Sequence, residues 1–271
     1  WASDWLNWMV LSIIMGFTQG FSLLCAQNFG ASNLKELRRS TAHSLMLCIG
    51  IALLFTVLGQ CLIRPVLKLL DTPDNVVGGA ITYLTIVFAF IPAITAYNFC
   101  ASILRSLGDG KTPLYAMITA SIVNVALDLL FVMVFRWGIA GAAIATGIAQ
   151  VCSFLFCLRI MRKIPQLYMS REDFRPEAAL FRKLLKLASP MAFQNLVISV
   201  GGLVVQSVVN GFGFIFMAGY TATNKLYGLL EIAATSFGFS IATYERDVES
   251  LTENFTAQQQ EDLSAIIEDE V

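Results

Sequence analysis

Apolar runs recur along this chain at lengths that suit a lipid bilayer far better than a water-soluble core. Seven of them, at about 5–29, 42–63, 77–104, 113–135, 138–160, 188–210 and 213–243, hold 20 or more residues with very few charges. A helix rises about 1.5 Å per residue, so about 20 residues cross the roughly 30 Å hydrocarbon layer. Inside lipid a lone segment satisfies its backbone only as a helix. Charged residues are 14% of the chain, where a soluble domain carries about 25%. The expected class is therefore an all-α membrane protein, a polytopic bundle of about seven transmembrane helices. The first run has no basic stretch before it and no initiating Met, which sets it apart from a signal peptide. Trp1 as first residue is expected of a chain that begins inside a longer protein.

The formal net charge of −1 joins two unlike parts. Residues 1–244 hold seventeen Lys and Arg against ten Asp and Glu. Residues 245–271 hold one Arg against nine acids. No dense Lys/Arg face exists outside short connections, which excludes nucleic acid as a partner. Cys25, Cys48, Cys61, Cys100, Cys152 and Cys157 all sit in apolar runs without a CxxC pair, so they read as small hydrophobes. With His43 as the sole histidine, multi-His metal sites and a Ser-His-Asp triad are not expected. No nucleophile–base or metal cluster marks an enzyme.

Helix punctuation divides the runs. Leu70-Asp71-Thr72-Pro73 ends one helix and starts another. Gly108-Asp109-Gly110 stops the third span, since glycine tolerates the left-handed turn after a helix. Thr112-Pro113 then supplies a cap and a proline for the first turn. Gly138 opens a tight hairpin, and Pro92 predicts a kink within the third span. Gly16 and Gly20, four apart, offer a close helix–helix approach, as do the small residues Gly138, Gly141, Ala142, Ala145, Thr146 and Gly147. The longest connection, Met161 to Leu187, is rich in Arg, Lys, Glu and Pro. Ala179, Leu180, Leu184 and Leu185 in it are spaced for an amphipathic surface helix over 176–187; a basic linker held by anionic lipid fits it as well. Alternate connections carry thirteen Lys and Arg against three, Arg64, Lys68 and Arg136, on the other side. The positive-inside rule puts the thirteen in the cytoplasm, with Trp1 outside and the acidic tail inside.

Polar residues inside the spans are few. Asp128 lies deep in the fourth, where a carboxylate costs about 2.5–3.5 kcal/mol to insert. Asn124, four residues earlier, is on the same helical face. A carboxylate and an amide oxygen at that spacing can share a hard cation such as sodium. A carboxyl deprived of water favours its neutral form, so the same group can trade a proton for a metal ion. A hydrogen-bonded structural Asp that holds helices together is the plainer reading. Thr146 and Gln150 share a face of the fifth span, able to join that site or to bond only the backbone. Lys225 and Glu231, six apart in the seventh span, do not share a face. Asn98, Gln194, Asn195 and Asn210 read as helix glue, with Asn98 also placed to line a cleft.

Several stretches together form a known pattern. Ala26-Gln27-Asn28-Phe29-Gly30-Ala31 ends the first span. Leu104-Arg105-Ser106-Leu107-Gly108-Asp109-Gly110-Lys111-Thr112-Pro113 joins the third and fourth. Val123-Asn124-Val125-Ala126-Leu127-Asp128-Leu129-Leu130-Phe131-Val132 lies in the fourth, and Gly138-Ile139-Ala140-Gly141-Ala142-Ala143-Ile144-Ala145-Thr146 opens the fifth. In order and spacing these resemble the MATE family of multidrug and toxic-compound extrusion transporters, over about residues 1–244. The resemblance implies twelve helices in two six-helix lobes around a central cleft, of which this chain supplies the second to eighth. Residues 1–160 would be five helices of the N-lobe, 161–187 the basic cytoplasmic inter-lobe connection, and 188–244 the first two helices of the C-lobe. The tail 245–271 departs from the pattern where a second Gly-Gln-Asn stretch would follow.

The same resemblance implies sodium- or proton-coupled export of amphipathic, often cationic, small molecules across the inner membrane, without a cofactor, by a monomer when full length. Asp128, Asn124 and Thr146 match three of the four residues of the family's N-lobe cation site; the fourth, an Asp of the first helix, has no counterpart here. Asn98 and Gln150 would line the substrate cleft. A flippase of lipid-linked oligosaccharides is the alternative within the superfamily, and a seven-helix receptor the alternative outside it. Taken alone, five helices of one lobe and two of the other are not expected to transport.

Overall fold

The computed structural model describes residues 2–69, 74–210 and scattered positions between 212 and 241. Among them all regular structure is helical. The Leu70–Pro73 punctuation, Lys225 and the acidic tail lie outside the described residues, as does most of the seventh run. The elements are α1 (Ala2–Gly30), α2 (Leu34–Leu69), α3 (Asp74–Ala89), α4 (Ile91–Ser106), α5 (Lys111–Asp128), a π-helical turn (Leu129–Val134), α6 (Gly138–Met161), a short 3₁₀ turn (Pro165–Leu167) and α7 (Ala178–Asn210). Five of these segments are long and apolar enough to cross a membrane, and the α3–α4 pair makes a sixth if taken as one span.

That pair is the kinked third run. The chain bends by 46° between Ala89 and Ile91, with Pro92 in the first turn of α4. Proline has no N–H to give the preceding turn. Pro65 and Pro190, by contrast, sit inside continuous helices. The 176–187 segment is not a separate surface helix: from Ala178 it runs without a break into the sixth apolar run as α7. A charged amphipathic start and an apolar continuation share one backbone ladder, which composition alone does not reveal.

The chain divides into two compact bodies, residues 1–26 with 34–203, and residues 27–33 with 204–271. In the second, α1 ends where Ser32 takes a left-handed conformation (φ 55°) and Asn33 N–H returns to Asn28 O at 2.9 Å. In the first, α6 packs against α3, α4 and α5, and α2 against α3 and α4. Two apolar layers fill it. One joins Phe21 and Cys25 of α1, Leu37 of α2, Phe99 and Ile103 of α4, Cys157 of α6 and Leu184 of α7. The other joins Ile14, Ile63, Leu84, Phe88, Ile91 and Ala143. Four of the six cysteines are buried as expected, but Cys61 is exposed and Cys152 half-buried.

The outer faces are equally apolar. Ile118, Ile122, Val125, Leu129 and Met133 are all exposed on α5 and its extension, while its buried face is Ala116 and Ala120. Such a helix, greasy outside and small inside, suits lipid. There the drive to associate is close packing rather than escape from water. The α1–α7 contact shows the device. A Cβ on Gly16 would lie 2.6 Å from Ala192 Cα, and one on Gly20 2.7 Å from Ala188 Cβ. Beside this approach Ser12 Oγ meets Ser199 Oγ at 2.7 Å, and Asn195 Nδ2 donates to Ser12 O at 2.9 Å. Asn195 is helix glue; Gln194 is exposed.

The connections that carry the basic residues are built, not loose. Arg38 Nε donates to Gln166 O at 3.1 Å and its Nη2 to Pro165 O at 3.3 Å. Arg39 pairs with Glu36 and Glu177. His43 is fully buried. Its Nε2 accepts the Glu177 N–H at 3.1 Å, its Nδ1 lies 2.8 Å from Arg39 O, and its ring meets Phe181 at 4.8 Å. Since Nε2 accepts, Nδ1 carries the proton. The lone histidine thus ties α2 to the approach of α7.

Candidate functional site

The α5–α6 hairpin carries the polar residues singled out in the sequence. Its tight return is set by left-handed Arg136 (φ 56°) and Gly138 (φ 57°). Gly141 lets α6 rise directly beside α5, since a Cβ there would come within 3.0 Å of Phe131 Cβ. Phe131, Phe135 and Trp137 close the end of the hairpin, with ring centroids 5.1–5.9 Å apart. Lower down, Gly147 leaves the space that the Phe90 ring occupies at the α3–α4 bend. At the opposite end, Gly108 is left-handed (φ 85°). The amide of Thr112 is capped by Asp109 Oδ1 at 2.9 Å, so Asp109 caps where Thr112 was expected to.

Two cross-helix bonds set the register of the antiparallel pair. Asn124 Nδ2 donates to Thr146 Oγ1 at 3.4 Å, and Ser153 Oγ donates to Ala116 O at 3.3 Å. Asn124 and Thr146 are therefore brought together as the sequence suggested. Thr146 Oγ1 also donates to Ala142 O at 3.0 Å. Asp128 lies one turn from Asn124 toward the hairpin end, where α5 gives way to the π-turn. Gln150 lies one turn from Thr146 in the other direction, level with Ala120. Asn98, on α4, spends its Nδ2 on Ile94 O at 2.9 Å within its own helix, and among the described residues no bond joins it to the hairpin.

Two acceptors in this seam are buried without a hydrogen-bond partner, Asp128 Oδ1 and Gln150 Oε1. Nearly all buried polar atoms in folded proteins are paired, and an orphan costs about 1–3 kcal/mol. Asn7 Oδ1 and Ser44 Oγ are orphaned likewise elsewhere, so what distinguishes this pair is that both oxygens lie on the hairpin within one turn of the Asn124–Thr146 bond, with lone pairs open to a water or a cation. The donor set is one carboxyl, two amides and one hydroxyl, all hard oxygens suited to an alkali or alkaline-earth ion and not to zinc or copper. No cluster of three or more His, Cys, Asp or Glu occurs among the described residues. A small apolar cavity of about 110 Å³ lies elsewhere, between α2 and α4, lined by Cys48, Pro92, Thr95, Phe99 and their neighbours.

The π-turn beside Asp128 was not legible in the sequence. Wide turns of this kind occur mostly as single insertions in α-helices, frequently at functional sites. His43 and its partners were also missed; a buried histidine flanked by Arg39 and facing a distant Glu177 carries no local motif.

Comparison with known proteins adds the following. The MatE family model matches residues 2–130. The chain is 34% identical to the probable multidrug resistance protein YpnP of Bacillus subtilis, covering 86% of this chain and 52% of that protein. It is 28% identical to the probable multidrug resistance protein YoeA of the same organism, over 88% and 53%. The chain thus spans about half the length of the curated relatives it matches. Among solved structures, MATE in complex with MaD5 superposes with a TM-score of 0.81 at 22% identity, over 93% of this chain and 57% of that one. An inward-facing MATE transporter superposes with a TM-score of 0.75 at 24% identity, over 91% and 58%. At these identities the structures show a shared fold.

Proposed function

The chain belongs to the MATE family, is all-helical and multi-pass, and from that premise we propose that it forms part of a cation-coupled exporter of small amphipathic molecules. The observation that carries this is the α5–α6 seam: Asn124 bonded across the hairpin to Thr146 at 3.4 Å, with the unpartnered Asp128 oxygen one turn away. The names of YpnP and YoeA support the drug-export reading. Asp128 takes the coupling charge, sodium or a proton. Asn124 and Thr146 orient and ligate. Asn98, its Nδ2 committed to Ile94 O, offers its amide oxygen to substrate in the cleft.

The coupling follows from electrostatics. A carboxylate away from water needs a cation or a proton. The seam is therefore occupied in turn by each, and occupation shifts the balance between two arrangements of the bundle by no more than its differential affinity for them. With the basic connections in the cytoplasm, cation entry from outside drives substrate outward. In this reading the full-length protein works as a monomer in the inner membrane, with the bilayer and the small molecule as its partners.

The test is Asp128→Asn in the protein carrying this chain, purified and reconstituted in liposomes. Efflux of a cationic dye should lose its dependence on the sodium or proton gradient. Unchanged efflux with unchanged cation dependence would remove Asp128 from the mechanism.

A further inference from the structure

Gln150 is the residue this reading leaves unexplained. The sequence offers it two places, beside Thr146 at the Asp128–Asn124 site or with Asn98 in the substrate cleft. Gln150 sits on α6 four residues beyond Thr146, on the same face, so the two side chains are stacked one turn apart. Its amide oxygen is buried and unpartnered. The residue level with it on α5 is Ala120, itself buried, whose methyl offers no donor. In order along the hairpin the polar groups are Asp128, then Asn124 with Thr146, then Gln150. The remaining buried positions of the seam between Ala116 and Ala149 are small or apolar.

We propose that Gln150 is a second station for the coupling cation, one turn from the Asn124–Thr146 pair on the side away from Asp128. This rests on the seam being the cation site. The chemistry selects the ion. An amide oxygen has lone pairs for a metal cation but no acidic proton to pass on. A run of carboxyl, amide, hydroxyl and amide oxygens therefore conducts an alkali cation, and sodium is the ion it serves. Neighbouring weak sites let an ion leave a strong one, because entry must be favourable while exit stays fast. By the positive-inside orientation, Gln150 lies on the cytoplasmic side of Asp128, which makes it the exit station.

The experiment uses the protein carrying this chain and sodium chloride, with choline chloride as the control. Sodium binding is read as protection against thermal unfolding in detergent, and coupling as dye efflux from liposomes. Gln150→Met keeps the side-chain length without the oxygen. It should raise half-saturating sodium about tenfold in both assays. Gln150→Glu keeps both the shape and an oxygen and adds charge, so it should lower half-saturating sodium; it stands in if the Met variant does not fold. Asp128→Asn should abolish the sodium response altogether.

If Asp128→Asn abolishes that response and both Gln150 variants bind sodium like the parent, the second station is wrong and the seam stands. If Asp128→Asn leaves the sodium response intact, the seam itself is wrong and the station falls with it. Export that follows a pH gradient with no sodium effect also overturns the proposal.

Discussion

Gly16→Ala tests how closely α1 and α7 are required to approach. The new Cβ would lie 2.6 Å from Ala192 Cα, 2.8 Å from Ala192 N and 2.9 Å from Met191 O, all backbone atoms. Carbon atoms rest about 3.5–4.0 Å apart, so the helices must separate locally by about 1 Å. Overpacking of this kind costs about 1–3 kcal/mol. Separation also strains the neighbouring Ser12–Ser199 and Asn195–Ser12 bonds. A loss of about 2 kcal/mol lowers the folding equilibrium constant about thirtyfold. The assay is reversible unfolding in mixed micelles titrated with a denaturing detergent. Gly50→Ala serves as the reference, since a Cβ there meets nothing within 4 Å and alanine favours helix by up to about 1 kcal/mol. The added substitution Ala192→Gly should not rescue Gly16→Ala, because the obstructing atoms are main chain. A Gly16→Ala protein as stable as the Gly50→Ala reference, or one restored by Ala192→Gly, would refute the close approach.

Two further outcomes follow from the connections. His43→Phe preserves the ring beside Phe181 but leaves the Glu177 N–H without its acceptor. It should cost about 1–3 kcal/mol and speed proteolytic cleavage within 162–177, measured by limited digestion in detergent. Asp109 is pushed up by partial burial, yet hydrogen bonds from Thr112 and Lys111 and the Lys111 charge hold its carboxyl below the usual carboxylate range. A depressed folded value means that its contribution is complete above the unfolded value and is lost as pH falls through the folded one. Asp109→Ala should therefore cost about 1 kcal/mol at neutral pH, with the gap to the parent closing below about pH 4, as read by thermal melts.

What sequence made visible was whatever depends on near neighbours. The first six apolar runs returned as helices, Pro92 as a bend, and Gly108 and Gly138 as left-handed turns. Asn124 and Thr146 met because a tight hairpin leaves little choice of register once its turn is fixed. What depends on partners far along the chain was hidden. Gly16 announced a close approach but not that α7 would make it. Asp109 displaced Thr112 as the cap because its carboxylate reaches an amide three residues on, and a carboxylate is the stronger acceptor. The 176–187 segment looked like a surface helix because its charges mark an interface; its continuation into α7 depends on a helix that runs on through Pro190, whose ring removes one donor without stopping it.

The π-turn after Asp128 has a consequence for how this hairpin tolerates insertion and deletion. A π-helical turn is in effect an α-helix with one residue added, and each residue of an α-helix accounts for about 100° of rotation. Removing one residue between Leu129 and Val134 should therefore restore α geometry while Asp128 and Asn124 keep nearly the same facing relative to Trp137 and Gly138, because the wide turn has already absorbed the extra residue. A gap of one position in this stretch of a related chain is then close to a neutral change in length. The same gap within α5 itself is not, since it turns everything on one side of it by about 100° and carries the Asp128 carboxyl away from α6.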